Sequence, residues 1–148
     1  MPSEKQRIGD LGEKFVAKRM SCLRCKRSGS IKQLPTNFKC ADLICDFCGA
    51  TSQVKTYQQE SPGLPSSILG AAWAPQKERM ESGIYHPLWL VRLGKSQRVK
   101  EVWLIPSELQ SPEMFIKRKP LSATAKRAGW QGYLIDTKRF ADNITKML

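Results

Sequence analysis

The chain predicts an α/β fold, and three observations carry that expectation. Apolar residues recur at helical spacing near the N-terminus, at Ile8, Leu11, Phe15, Val16 and Met20. Two short runs suited to strands, residues 38–43 and 51–57, bracket a Cys-x-x-Cys pair. Further on, residues 84–93, which include Leu-Trp-Leu-Val-Arg-Leu, and residues 102–105 read as strands buried on both faces. The expected order is helix, strand, strand, helix, strand, strand.

Each element has a local reason. Ser3 can cap the first helix, and Gln6 completes a capping box with it. Lys14, Lys18 and Arg19 avoid the apolar face, and Glu13 by itself reads as a solvated carboxylate in mid-helix. Cys22 and Cys25 follow at once, with nineteen residues separating them from Cys45 and Cys48. Two knuckles at that separation present four sulfurs to a tetrahedral zinc. A closed four-sulfur shell leaves no position for substrate, so the expected zinc is structural. Cys40 stands outside the pattern and is expected to pack as a small buried hydrophobe. Residues 26–37 and 60–65 read as loops. A second helix is expected from Ser66 onward, interrupted or kinked at Pro75. Residues 95–100 form a basic turn, and 133–135 a last strand. Phe140, Ile144 and Met147 suggest a short terminal helix. His86 is the only histidine and is expected to be structural.

Composition narrows the function. At 148 residues the chain is expected to be one domain with a real core. Twenty-five basic residues against thirteen acidic give a formal net charge of +12. Four zinc-bound thiolates would leave about +10. Such a surplus usually meets a polyanion, and nucleic acid comes first; the plainer alternative is charge for solubility. No apolar run is long enough to span a bilayer, and the N-terminus lacks the pattern of a signal peptide, so a cytoplasmic protein is expected. Paired cysteines in such a chain favour metal over disulfide.

The central stretch, residues 39–57, joins two chemistries. If the second knuckle is the turn of a hairpin, Asp42 lies on the incoming strand and Gln53 and Lys55 on the outgoing one. Residues two apart on a strand share a face. An acid, an amide oxygen and an ammonium then converge, the layout of a metal-dependent phosphodiester hydrolase. Toward the C-terminus, residues 117–132 hold five basic residues and no acid, with Trp130 framed by Gly129 and Gly132. That composition suits a loop gripping phosphates and placing a ring against a base, or a basic surface loop with Trp130 anchored in the core.

Four features in this order resemble the catalytic domain of the DpnI family of restriction endonucleases and its shorter relatives, the dam-replacing proteins. They are Glu13-Lys-Phe-Val, the paired knuckles, Ala41-Asp42 with Gln53-x-Lys55, and Arg118-Lys-Pro-Leu-x-x-Thr-Ala-x-Arg-Ala-Gly-Trp-x-Gly132. The resemblance implies a PD-(D/E)xK nuclease fold, a central mixed sheet flanked by helices. It implies cleavage of double-stranded DNA at GATC sites with methylated adenine. It places Asp42, Gln53 and Lys55 at the catalytic positions and Glu13 at the acidic position on the first helix. Mg²⁺ would be held by Asp42 and Gln53, and Zn²⁺ by Cys22, Cys25, Cys45 and Cys48. Arg118, Lys119, Lys126 and Arg127 are expected on phosphates, and Trp130 on a base or its methyl group. The family motif usually carries Glu where this chain has Gln53, which removes one negative charge. The two-domain members add a C-terminal winged helix, and this chain stops at Leu148. A weaker methylation preference, or a separate partner that supplies it, is therefore expected. The rival expectations are a non-catalytic zinc-containing DNA-binding protein on a degenerate nuclease fold, and a zinc module that binds protein.

Overall fold

A computed structural model describes residues 2–36, 38, 41–69, 74–117 and 133–148. Helix α1 (Glu4–Arg19) begins at Ser3, whose hydroxyl accepts from the Gln6 N–H while the Gln6 side chain accepts from the Ser3 N–H. This is the expected capping box. Strands β1 (Ile31–Gln33), β2 (Leu43–Cys45) and β3 (Thr51–Gln58) follow, then β4 (Ile68–Leu69), helix α2 (Ala74–Glu81), β5 (Leu88–Leu93) and β6 (Val99–Ile105). The chain continues through β7 (Phe115–Lys117), β8 (Tyr133–Ile135) and β9 (Thr145–Lys146).

Six strands form one mixed sheet in the order β1-β2-β3-β5-β6-β9. Only the β3–β5 pairing is parallel, as a crossover through α2 requires; its neighbours are antiparallel. Strand β5 is buried at every residue, as its unbroken apolar run predicts. Its alternate side chains feed two cores. Trp89, Val91 and Leu93 join Val16 of α1 with Leu43 and Val102, while Leu88 and Leu90 join Ile68, Ile105, Met114 and Ile135. The first face of the sheet is thus covered by α1. The second is covered by a small sheet, β4-β8-β7, where helices on both faces were expected.

Several expectations need correcting. Residues 26–37 are not all loop, because β1 pairs with β2 there. The first hairpin strand begins at Leu43 and runs into the knuckle at Cys45. The segment after Ser66 opens with β4 instead of a helix. Pro75 lies in the first turn of α2, where a missing N–H costs nothing, so it helps start that helix and does not kink it. The terminal helix is absent: a 3₁₀ turn at Ala141–Asn143 leads into β9 on the sheet edge, with Ile144 buried and Met147 exposed. Cys40 and residues 118–132, with the Trp130 loop, lie outside the described residues.

Leu11 is 38% exposed, whereas Gly12, absent from the expected apolar face, is buried. A methyl group on Gly12 would meet Thr56 Oγ1 on β3 at 1.9 Å, with Thr56 Cβ and Cγ2 at 3.1 and 3.2 Å. The helix can therefore lie on β3 at this point only because residue 12 has no side chain. Alanine is a better helix former than glycine by about 1 kcal/mol, yet the overpacking costs about 1–3 kcal/mol. Gly12→Ala is expected to lower stability, and Gly12→Ala/Thr56→Ala to recover most of the loss. Thermal melting checks this; a single variant as stable as the wild type would show that the contact is looser.

At the opposite end of β3 a buried ion pair ties down the following loop. Arg92 Nε donates to Glu101 Oε1 at 2.5 Å, and Arg92 Nη1 donates to the Gln59 carbonyl. The Gly63 N–H donates to Glu101 Oε1, and Lys146 reaches Oε2 at 3.1 Å. Polar residues inside an otherwise apolar strand are thus fully partnered.

Candidate active site and metal centre

The hairpin expected from the spacing is present. Leu43 pairs with Ser52, and the ladder extends one residue beyond β2, where the Asp42 N–H donates to the Ser52 carbonyl at 2.9 Å. The Leu34 N–H donates to the Asp42 carbonyl at 2.8 Å, so the Asp42 backbone is held from both sides. Its side chain is held as well: the Val54 N–H donates to Asp42 Oδ2 at 2.8 Å. A carboxylate fixed by the strand opposite has little freedom to turn away.

Two other predicted residues meet this carboxylate. Glu13, one position after the glycine that seats α1 on β3, shares a hydrogen bond with it. Lys55 lies within its electrostatic reach from β3. Val54 packs in the core beneath α1 and Thr56 meets Gly12, so Gln53 and Lys55 look to the other side of the strand. Asp42, at the end of β2, is approached from the helix by Glu13 and from the strand by Lys55. Gln53 is anchored through its N–H, which donates to the Pro87 carbonyl at 2.9 Å.

The protonation of this group is unusual. Burial first, then the charges of Asp42 and Asp10, push Glu13 up to about 7. Burial also raises Asp42, against the Val54 N–H, the charge of Lys55 and the Glu13 hydrogen bond. Burial lowers Lys55, with the Asp42 charge opposing. Two carboxyl groups and an amide oxygen crowded at one spot, with a proton shared between the acids, form an oxygen donor set that a hard divalent cation would satisfy.

His86 was expected to be merely structural, and its surroundings add to that. Its Nδ1 lies 3.0 Å from Thr51 Oγ1, and burial lowers its pKa while Asp42 draws it upward. It lines a cavity of about 560 Å³ that runs to Leu23, Arg24 and Lys26 of the first knuckle. Nothing in the spacing of a lone histidine before a proline points to that position.

The four expected cysteines converge, with all their sulfurs within 4.8 Å of one another. Cys22 and Cys48 are 3.5 Å apart, Cys25 and Cys45 3.7 Å. Four sulfurs at tetrahedral positions about 2.3 Å from a zinc would be about 3.8 Å apart, so the group fits a metal ion such as zinc. Cys45 Sγ also lies 3.2 Å from Ser30 Oγ. That hydroxyl, with the N–H groups of Cys48 and Phe47, brings the Cys45 thiol down to about 6. The Arg27 N–H favours the Cys25 thiolate, yet burial and the neighbouring sulfurs carry Cys25 up to about 11. Ser30 was not expected to support the centre; it enters because β1 brings it beside β2.

Arg118, Lys119, Lys126, Arg127 and Trp130 lie outside the described residues. Among the described residues, no helix is long and apolar enough to cross a membrane. A family model described as "DpnI: Dam-replacing family" matches residues 1–145 of the chain.

Proposed function

The chain belongs to the Dam-replacing family, and from that premise we propose that it is a Mg²⁺-dependent endonuclease of the PD-(D/E)xK type. It cuts double-stranded DNA at adenine-methylated GATC-like sites, as a type II restriction enzyme. The observation that carries the reading is the meeting of Glu13 and Lys55 at the Asp42 carboxylate, which is itself held by the Val54 N–H. A solvated helix-surface carboxylate, the plain alternative for Glu13, would make no such contact.

Asp42 and the Gln53 amide oxygen would hold the ion, with Glu13 on one of its waters or on a second ion. When bound, Mg²⁺ polarises the scissile phosphate and acidifies a water. Lys55 orients the attacking water and stabilises charge growing on the phosphate oxygens. Its burial keeps the ammonium poorly hydrated, so its field is stronger than on an open surface. Glu13, with a pKa near neutrality, can hold or release a proton beside Asp42. Zinc in the four-cysteine centre stays structural and pins the hairpin that carries Asp42.

Arg118, Lys119, Lys126 and Arg127 grip phosphates, and Trp130 packs against a base or its methyl group. One N6-methyl adds about 0.8 kcal/mol of apolar burial, a few-fold preference; two raise it further if one complex reads both. The test is cleavage of GATC duplexes carrying zero, one or two methyl groups. Rates should rise with each methyl, and Trp130→Ala should flatten that rise. Equal rates on all three substrates would leave a DNA nuclease without methyl reading. A zinc-loaded protein that binds these duplexes and cuts none would instead favour the non-catalytic reading, which the amide at Gln53 supports.

A further inference from the structure

Between Glu13 and Asp42, the two acids of the candidate site, the chain carries eight basic residues and no acid. Arg24, Lys26, Arg27 and Lys32, in and after the first knuckle, are all exposed. The knuckles do more than gather sulfurs, because they are also tied to each other at their outer ends. Arg24 Nη2 donates to the Cys48 carbonyl at 2.7 Å. The Arg27 guanidinium lies 3.8 Å from the centroid of the Phe47 ring. Phe47 is nonetheless 61% exposed, an unusual place for a phenyl ring with an apolar core close by. Backbone constraints hold both sides of this pair. The Cys22 N–H donates to the Arg27 carbonyl at 2.8 Å, and the Gly49 N–H to the Cys45 carbonyl, with Gly49 at φ +80.

A rigid, exposed ring under a guanidinium, set in a field of cations, suits a polyanion that also offers flat apolar surface. Double-stranded nucleic acid has that chemistry: phosphates for the cations, and sugar and base edges for the ring. The cavity beside His86 has Arg24 and Lys26 among its lining residues, with Glu108 as the one acid. It therefore joins the knuckles to the neighbourhood of Asp42, whose charge His86 feels. Asp42 and Cys45 are three residues apart on extended chain, about 10 Å, which is about three base pairs along a duplex.

We propose that the joined knuckles form a second DNA-contacting surface, in which Phe47 and Arg27 make a plate seated on the duplex a few base pairs from the scissile phosphate, while Arg24, Lys26 and Lys32 meet its backbone. This rests on the reading of the chain as a DNA endonuclease, and it adds a surface separate from residues 118–132. The metal centre then has a second consequence, since its tetrahedron fixes the angle at which the plate is presented.

The test measures binding to a 30-base-pair duplex without Mg²⁺, across a salt series, for zinc-loaded wild type, Phe47→Ala, Phe47→Leu and Arg27→Gln. Metal content is measured in parallel. Phe47→Leu keeps an apolar cover over the knuckle should alanine loosen the metal. With one zinc retained, Phe47→Leu and Phe47→Ala should weaken binding about ten-fold, the scale of a lost aromatic stack. Arg27→Gln should weaken it and reduce the salt slope by about one. Binding within two-fold of wild type for all metal-retaining variants would overturn the proposal even if the wild type cuts DNA normally. Knuckle-dependent binding by a protein that never cuts would uphold the surface and reject the nuclease. A wild type that binds no duplex would reject both.

Discussion

Cys45→Ala is expected to empty the metal centre and to cost the protein its cooperative fold. Cys45 serves three structures at once. It is a buried residue of β2, it pairs with Ile31 of β1, and its sulfur meets Cys25 and Ser30. Zinc held by such a centre contributes about 10–16 kcal/mol of apparent folding free energy in small metallo-domains, as much as the whole net stability of a typical domain, about 5–15 kcal/mol. The first knuckle starts three residues after the end of α1, and the second is the turn between β2 and β3. Losing the metal therefore releases the elements that carry Glu13, Asp42 and Lys55 together. Native mass spectrometry should show one zinc per wild-type chain and none in the variant, and circular dichroism should show a broadened or absent melting transition. A variant that keeps its zinc and melts like the wild type would assign the metal to other ligands.

The second large effect is on chemistry. Asp42→Ala and Lys55→Ala should each reduce cleavage by at least a hundred-fold, the scale at which removing one well-placed charged or hydrogen-bonding group is felt. Duplex binding should change by no more than a few-fold, because the exposed cations remain. Asp42→Ala also frees the Val54 N–H, so some loss of stability accompanies it. Gln53→Glu should keep or raise the cleavage rate by returning a negative charge to the donor set. Measuring cleavage and binding on the same preparations separates lost chemistry from lost affinity.

Much of this site could be read from residue order because its parts are local. A hairpin closed by Cys45 and Cys48 brings Asp42 opposite β3 by strand geometry alone, and two-residue spacing puts Gln53 and Lys55 on one face. The cysteine spacing likewise announces a metal centre. What escaped depends on contacts between distant segments. Glu13 looks like any surface acid until α1 is docked, and α1 docks through Gly12 against Thr56, a fit that helical periodicity misses because glycine carries no apolar signal. Ser30 reaches Cys45 only after β1 pairs with β2, and Ile31–Gln33 is too short and polar to stand out as a strand. The C-terminal segment was misread for a related reason. Phe140, Ile144 and Met147 have helical spacing, but the edge of β6 offered unpaired backbone groups, and β9 took them in place of local helical bonds.

The account stands or falls on metal-dependent chemistry at Asp42 and Lys55. The most direct measurement incubates supercoiled, adenine-methylated GATC plasmid with zinc-loaded wild type or Lys55→Ala, with and without Mg²⁺. Wild type should nick or linearise the plasmid only when Mg²⁺ is present, and Lys55→Ala should leave it supercoiled under both conditions while still binding DNA. Cleavage by Lys55→Ala at the wild-type rate, or an intact plasmid after incubation with zinc-loaded wild type and Mg²⁺, would contradict the assignment.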